Sequence, residues 1–525
     1  MMLLTIVEIS VLVLGPWPLY RLLSIPVFRK SYFCFALRVL GILLVYAIVV
    51  ILLVYYTPSL LHAAAALAVV VLVMERWRAR PSYGETRNLP PGSLSLVPRQ
   101  PWVDDQCFAK MSERYGPVFK ISHYFRPMIC IVGPRRGLAL MSAHDDDLLP
   151  PTVRFNQFIP RGFLRYMSPP DHDRYKKLLQ RVLSRSVLQG AEPEVRAVIR
   201  SGLEKMATGT AIHPDEGIEP RHYLSDMLLT VFTTLFFGFQ RDDKTLDVLK
   251  ALYRRIDIKK ASCASSRQEM RAAEQIAEVV QEQLARFEIQ KKNDSPLPRC
   301  VLAEFLRLNL IAEFDRTVVL NLVYIVQAGR ADMSGLLTWT LKILCDNDNW
   351  LPKIRDNLLT RRADSEEVSG RLAGRVIKEV LRLEQSEFLF RRVAKDIEFE
   401  NFVIPKDWSL RVCIREGHRD ADIFADPQHF NPDRFEKNFM KEEYSPLGML
   451  RHSCLGAQIV DMIGTLFVCE LARTYSCVAT SDGPREYGRA HWEPSSRFRI
   501  ALTQAVAAQS VGTSADYDMP DITSA

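Results

Sequence analysis

The sequence predicts a mainly α-helical body with small β-sheets, preceded by an N-terminal membrane anchor of two to three apolar segments. Three observations predict it. Residues 39–74 contain no Asp, Glu, Lys or Arg, and 31 of these 36 residues are hydrophobic. Between about 170 and 390 apolar residues recur at helical spacing, as at 175, 178, 179, 182 and 183. Short β-branched runs bounded by turn residues occur at Tyr115–Val132 and between 390 and 435.

The anchor comes first, over 1–80. A bilayer-spanning helix needs about 20 apolar residues, so the charge-free run is long enough for a hairpin of segments 39–56 and 59–74, broken at Thr57-Pro58. Residues 2–20 form a further apolar stretch, interrupted by Glu8, Pro16 and Pro18. The apolar region is too long for a cleaved signal peptide, and no basic residue precedes its first segment. Arg29, Lys30 and Arg38 lie before the charge-free run, and Arg76, Arg78 and Arg80 follow it. The rule that cationic flanks stay in the cytosol places the body there.

The charge balance excludes one class of partner. The chain carries +7, but residues 1–74 hold four cations and one anion, which leaves the remaining 451 residues at +4. The mean hydropathy of −0.03 averages an apolar anchor with a charge-balanced body. No Lys/Arg stripe interleaved with aromatics appears, so nucleic acid is not an expected partner. The ten cysteines are scattered without a CxxC pair, which suits a reducing compartment.

A stiff proline-rich linker spans 81–102 and includes Asn88-Leu-Pro-Pro-Gly-Ser. The runs around Val118 and Ile129 predict a hairpin. Helices are predicted over Arg174–Leu188, Tyr223–Phe239, Arg267–Gln290, Arg316–Cys345 and Gly370–Leu383, with a last one from about 456 to Tyr475. The small, polar stretch 505–525 reads as a disordered tail.

Cys454 stands in Tyr444-Ser-Pro-Leu-Gly-Met-Leu-Arg-His-Ser-Cys-Leu-Gly456, immediately before that last helix. Unpaired N–H groups and the positive end of the helix dipole there favour a thiolate. Gly448 and Gly456 allow close backbone approach to a bulky flat group, and Arg451 and His452 supply positive charge. From this segment alone Cys454 is a thiolate ligand, a nucleophile, half of a zinc site with His452, or a buried hydrophobe.

The surrounding chain resembles the cytochrome P-450 superfamily of haem-thiolate monooxygenases, from Pro90-Pro91 to about residue 500. Around the cysteine, Gly448, His452, Cys454 and Gly456 match the family pattern, while Leu447 replaces its aromatic residue and Leu450 its second glycine. Glu379-Val-Leu-Arg382 and Phe430-Asn-Pro-Asp-Arg434 resemble the family's buried Glu–Arg–Arg network, a structural feature. His172-x-x-x-Lys176 resembles its haem-propionate-binding helix, where Lys176 or Lys177 takes the second position. Arg391 or Arg392 resembles a further propionate ligand, and Arg392 is the one expected to bind.

The resemblance implies a P-450 fold over 103–504, haem b ligated axially by Cys454, and propionate or ring contacts from His172, Lys176, Arg392 and His452. It implies that one atom of O2 is inserted into a lipophilic terpenoid, polyketide or steroid-like substrate, in fungal-type secondary-metabolite biosynthesis. Electrons would come from NADPH through a cytochrome P-450 reductase at the endoplasmic reticulum membrane, with the catalytic domain cytosolic. The proton relay departs from the family. Aligned on Ala328-Gly329, Ala331 holds the acid position and Asp332 the alcohol position; slipped by one residue, Asp332 becomes the acid. Asp332 and Ser334 are the expected catalytic groups, with Asp332 facing the haem or pairing with Arg330. The altered relay leaves two alternatives: a reductase-independent isomerase or dehydratase, and a non-catalytic haem-binding membrane protein.

Overall fold

A computed structural model of the chain describes residues 88–94, 104–123, 126–150, 159–256, 263–360, 366–384, 389–487 and 492–505, with isolated helical positions between 44 and 73. The predicted apolar segment 2–20, most of 39–56 and 59–74, the linker outside 88–94 and the tail beyond 505 lie outside the described residues. Leu44, Ile48 and Ile51 are helical and exposed. Among the described residues no helix is long and apolar enough to cross a membrane, so the expected anchor gains no support from the structure.

The linker ends in β1 (Gly92–Ser93), which pairs in parallel with β2 (Val118–His123) as an edge strand. Proline before an edge strand costs no ladder bond. Between them lies α1 (Cys107–Tyr115). The predicted hairpin forms as β2 against β3 (Arg126–Val132), with Phe119 opposite Cys130. After α2 (Pro134–His144) and β4 (Leu148–Leu149), the helix expected over Arg174–Leu188 starts earlier and divides. α3 (Pro169–Val182) stops at Leu183, and Ser184 Oγ accepts the Val187 N–H to cap α4 (Arg185–Ile212). A hydroxyl N-cap satisfies an otherwise orphaned donor; apolar periodicity alone does not reveal that break.

α5 (Pro220–Phe237) is buried on nearly every side and ends at Gly238, whose φ of 74° is left-handed. It is followed by α6 (Thr245–Arg255), α7 (Cys263–Lys292), α8 (Val301–Arg307) and the long α9 (Arg316–Asp346). α9 packs on α5, and a Cβ at Gly329 would stand 2.7 Å from the Phe232 ring, so only glycine permits that approach. α10 (Trp350–Thr360) and α11 (Glu366–Leu383) complete this helical block.

The second layer is a six-stranded mixed sheet. β5 (Leu389–Val393) is followed by the hairpin β6 (Ile397–Phe399)–β7 (Phe402–Ile404) and by β8 (Ser409–Cys413), giving the order β1-β2-β3-β8-β5-β4. α12 (Ile414–Gly417) leads to the loops before α13 (Ala457–Thr474). The chain closes with β9 (Tyr475–Ser481), β10 (Glu486–Tyr487), β11 (Trp492–Glu493) and β12 (Arg499–Gln504), the last antiparallel to β9. One apolar cluster joins α3–α11 with α13; a second lies on the sheet. The expected class, mainly helical with small sheets, is the one observed.

Candidate active site

The turn before α13 carries Cys454 between these two clusters. Leu447 and Leu455 pack on the helical core, while Met449 is buried in the sheet cluster. The turn is closed by its own main chain: Gly448 N–H donates to Ser445 O at 3.2 Å, Ser453 N–H to Leu450 O at 3.1 Å, and Cys454 N–H to Leu447 O at 2.8 Å. Two of its residues have positive φ, Gly448 at 79° and Leu450 at 53°. Leucine at such a position is strained, because its Cβ crowds the following carbonyl. Among the described cysteines Cys454 alone is exposed. It sits three residues ahead of α13, where the helix dipole favours an anion.

α3 clamps this turn. His172 and Lys176, four residues apart, share a helix face and are both buried. Lys176, the expected propionate partner, donates from Nζ to Arg451 O at 2.6 Å, Ser453 O at 2.9 Å and Ser453 Oγ at 3.2 Å. All three ammonium donors are spent on the turn. Burial lowers the Lys176 pKa, and the neighbouring Cys454 and Asp173 charges oppose that shift. Burial likewise lowers His172, against the pull of Asp173, whose Oδ1 lies 3.4 Å from its Nδ1. Arg451 turns outward to Asp145 at 3.1 Å and Asp173 at 3.4 Å. The side chain of His452 lies outside the described residues.

Beneath the turn lies the Glu–Arg–Arg network. Glu379 and Arg382, on one face of α11, are fully buried and paired through Nε–Oε2 at 2.7 Å and Nη2–Oε1 at 2.8 Å. Arg434 Nε reaches Glu379 Oε1 at 2.9 Å, and Asn431 N–H donates to the same oxygen at 3.0 Å. The remaining guanidinium donors bind main-chain carbonyls of His418, Ala425 and Pro427. A buried charge set is stable only when its members are all satisfied; here each group ties a separate loop to α11.

α9 does not unite the two expected catalytic groups. Ile325 and residues 328–331 are partly exposed and Asp332 is exposed, on a helix that is otherwise mostly buried. Ser334 is two residues, about 200°, from Asp332; it is buried, and its Oγ has no hydrogen-bond partner among the described residues. Asp332 and Ser334 therefore point to different sides of α9, because helical geometry directs the two side chains apart.

Strand alternation decides between the paired arginines. Along β5, Leu389, Arg391 and Val393 point inward and are buried. Arg392, the expected ligand, points outward, is 47% exposed, and pairs with Asp407 at 3.1 Å. Arg391 is the inward cation, a result available from the period-2 pattern of the strand itself. His418, missed by sequence reading, is fully buried under the turn; no local pattern marks it. Two cavities of about 310 and 400 Å³ lie elsewhere, beside Thr245 of α6 and between Asn347 and Leu383.

The donor set fits a haem-thiolate centre. An exposed cysteine lies at a helix N-terminus, an ammonium stands beside it, and apolar Leu447 and Leu455 flank it. Gly456 borders the sulfur without crowding it: an added Cβ there would make ordinary contact, 3.8 Å from Sγ.

Comparison with known proteins agrees. The family model described as cytochrome P450 matches residues 90–488. Abscisic acid 8'-hydroxylase 1 of Arabidopsis thaliana is 24% identical over 420 residues, covering 75% of this chain and 87% of the relative. Abscisic acid 8'-hydroxylase 3 of Oryza sativa subsp. indica is 25% identical over 446 residues, covering 76% and 84%. Among solved structures, retinoic acid bound cyanobacterial CYP120A1 superposes with a TM-score of 0.62 at 18% identity, covering 80% of this chain and 100% of that one.

Proposed function

The chain belongs to the cytochrome P450 family, and from that premise we propose a membrane-attached monooxygenase that inserts one atom of O2 into a lipophilic small molecule. The protein is an oxidoreductase of the haem-thiolate class. The observation that carries the proposal is Cys454, exposed at the start of α13 in a turn clamped by Lys176. Haem bound through a cysteinate supplies O–O cleavage, because the thiolate pushes electron density onto the iron.

The chain's own residues would do the rest. Residues 103–504 form the catalytic unit. Cys454 would ligate the iron, kept as thiolate by the α13 dipole and the Lys176 ammonium. His172 and Arg391 are the inward groups that would meet the propionates, joined by His452 from the turn. Asp332, exposed on α9, would hold a proton at its carboxylate and hand it on through water, in place of the family's alcohol.

Two electrons and two protons accompany each O2, and water leaves with the second oxygen atom. The electrons come from NADPH through a membrane-bound reductase. The charge-free run 39–74 and its arginine flanks support attachment at the endoplasmic reticulum with the body cytosolic. The relatives named for abscisic acid support a small lipophilic substrate, and a terpenoid-like one of secondary metabolism is the class we propose.

The test is direct. Membranes containing the protein, reduced and exposed to CO, should show the thiolate Soret shift; Cys454→Ala should abolish it. A wild-type protein without the shift would end this reading. A second reading, a reductase-independent isomerase or dehydratase, rests on Ala331 at the acid position and on Ser334 facing away. Turnover of a peroxide or epoxide without NADPH would establish it instead.

A further inference from the structure

His418 belongs to none of the groups assigned to the chemistry. It follows α12, and its N–H donates to Ile414 O at 2.9 Å. Its carbonyl accepts Arg382 Nη1 at 2.8 Å, which ties it to the buried Glu379–Arg382 pair. Its ring Nε2 accepts the Ser445 N–H at 3.2 Å. The Tyr444 ring stacks on the imidazole with centroids 5.1 Å apart and planes 29° apart, and Phe424 meets its edge at 5.9 Å. Tyr444 is fixed in turn, because its hydroxyl donates to Lys378 O of α11 at 2.8 Å.

One residue thus touches the ion-pair network through its main chain and the first residues of the cysteine turn through its ring. The bonds continue from there: Ser445 O accepts the Gly448 N–H, and Leu447 O accepts the Cys454 N–H. We propose that His418 is a positioning residue for Cys454, which fixes the entry of the turn by accepting the Ser445 N–H and so sets where the sulfur stands toward haem. The inference rests on the haem-thiolate reading of Cys454. A buried main-chain N–H that loses its acceptor carries the full desolvation penalty, so the turn is expected to move and find another partner. The ring suits this task, since burial and the nearby Arg382 push its pKa down to about 3. Nε2 therefore keeps its lone pair throughout the physiological range.

Three measurements test it on the full-length protein. In His418→Leu the thiolate Soret of the reduced CO complex should decay to the non-thiolate form about ten-fold faster at fixed temperature, the equivalent of one lost buried hydrogen bond. In His418→Gln, whose amide oxygen offers an acceptor, the decay should be substantially rescued. In the wild type, hydrogen exchange across peptides containing Ser445 should be slow. This last result is independent of whether the variants fold. Wild-type decay rates in His418→Leu, or rapid exchange at Ser445, overturns the positioning role. A wild-type protein that binds no haem through thiolate, yet protects Ser445, overturns the haem reading and leaves the hydrogen bond standing.

Discussion

Asp332 and Ser334, two residues apart on α9, face opposite sides of that helix: Asp332 is exposed, and Ser334 is buried with no hydrogen-bond partner for its hydroxyl among the described residues. The relay chemistry should divide accordingly. Asp332→Asn should lower product formation at least about ten-fold and raise peroxide release while leaving the CO spectrum intact, since a positioned acid contributes that much or more. Ser334→Ala should leave coupling unchanged. Product and peroxide measured together against NADPH consumption check both.

Leu450 occupies a left-handed position, φ 53°, where the resembled pattern has glycine, and its side chain is 41% exposed. Leu450→Gly relieves the Cβ clash and gives up little burial. The variant should be more stable by about 0.5–1 kcal/mol. A rise in the denaturant midpoint followed through the Soret band is the expected outcome; a fall would show that the leucine side chain contributes more to the turn than its backbone costs.

Glu379 is the counter-charge for two guanidinium groups. Glu379→Ala leaves both without it in a buried site, at a cost of about 3–5 kcal/mol. The expected result is loss of haem incorporation and of soluble yield, whereas Asp407→Ala, which frees only the exposed Arg392, should shift stability by under about 1 kcal/mol. Yield and Soret absorbance per protein distinguish the two.

Acid sensitivity should follow His418. Its imidazole ordinarily titrates near 6.5, and the folded protein holds it at about 3. Between these values the unfolded chain binds the extra proton, so this contribution to stability is complete above pH 6.5 and is lost as pH falls toward 3. The slope is at most about 1.4 kcal/mol per pH unit. Unfolding midpoints from pH 7 to 4 should fall less steeply in His418→Gln than in the wild type.

Local periodicity made α5, α7, α9, α11, α13 and the first hairpin legible, with boundaries shifted by a few residues, but not the division of α3 from α4 or the shorter helices; motif order made the turn of Cys454 and the Glu379–Arg382–Arg434 network legible. What escaped were long-range choices. Lys176 has several acceptors to choose from, and only the packed turn offers it Ser453 O. Arg391 and Arg392 are the same residue type, separated by the direction of one strand. Ser334 looked equivalent to Asp332 because spacing along a string hides the 100° step of the helix. His418 contacts Ser445, 27 positions away, with no repeating pattern between them.

The clamp of α3 on the cysteine turn also orders events in time. Lys176 leaves the ribosome 277 residues before Ser453, the group that receives its proton donors. Synthesis runs from the N-terminus at about 5–20 residues per second, so for roughly a quarter of a minute to a minute the nascent chain carries this ammonium without its final partners. The clamp on the cysteine turn is thus among the last contacts to close, and chains that stop short of residue 453 contain most of the helical block but not the turn that α3 holds.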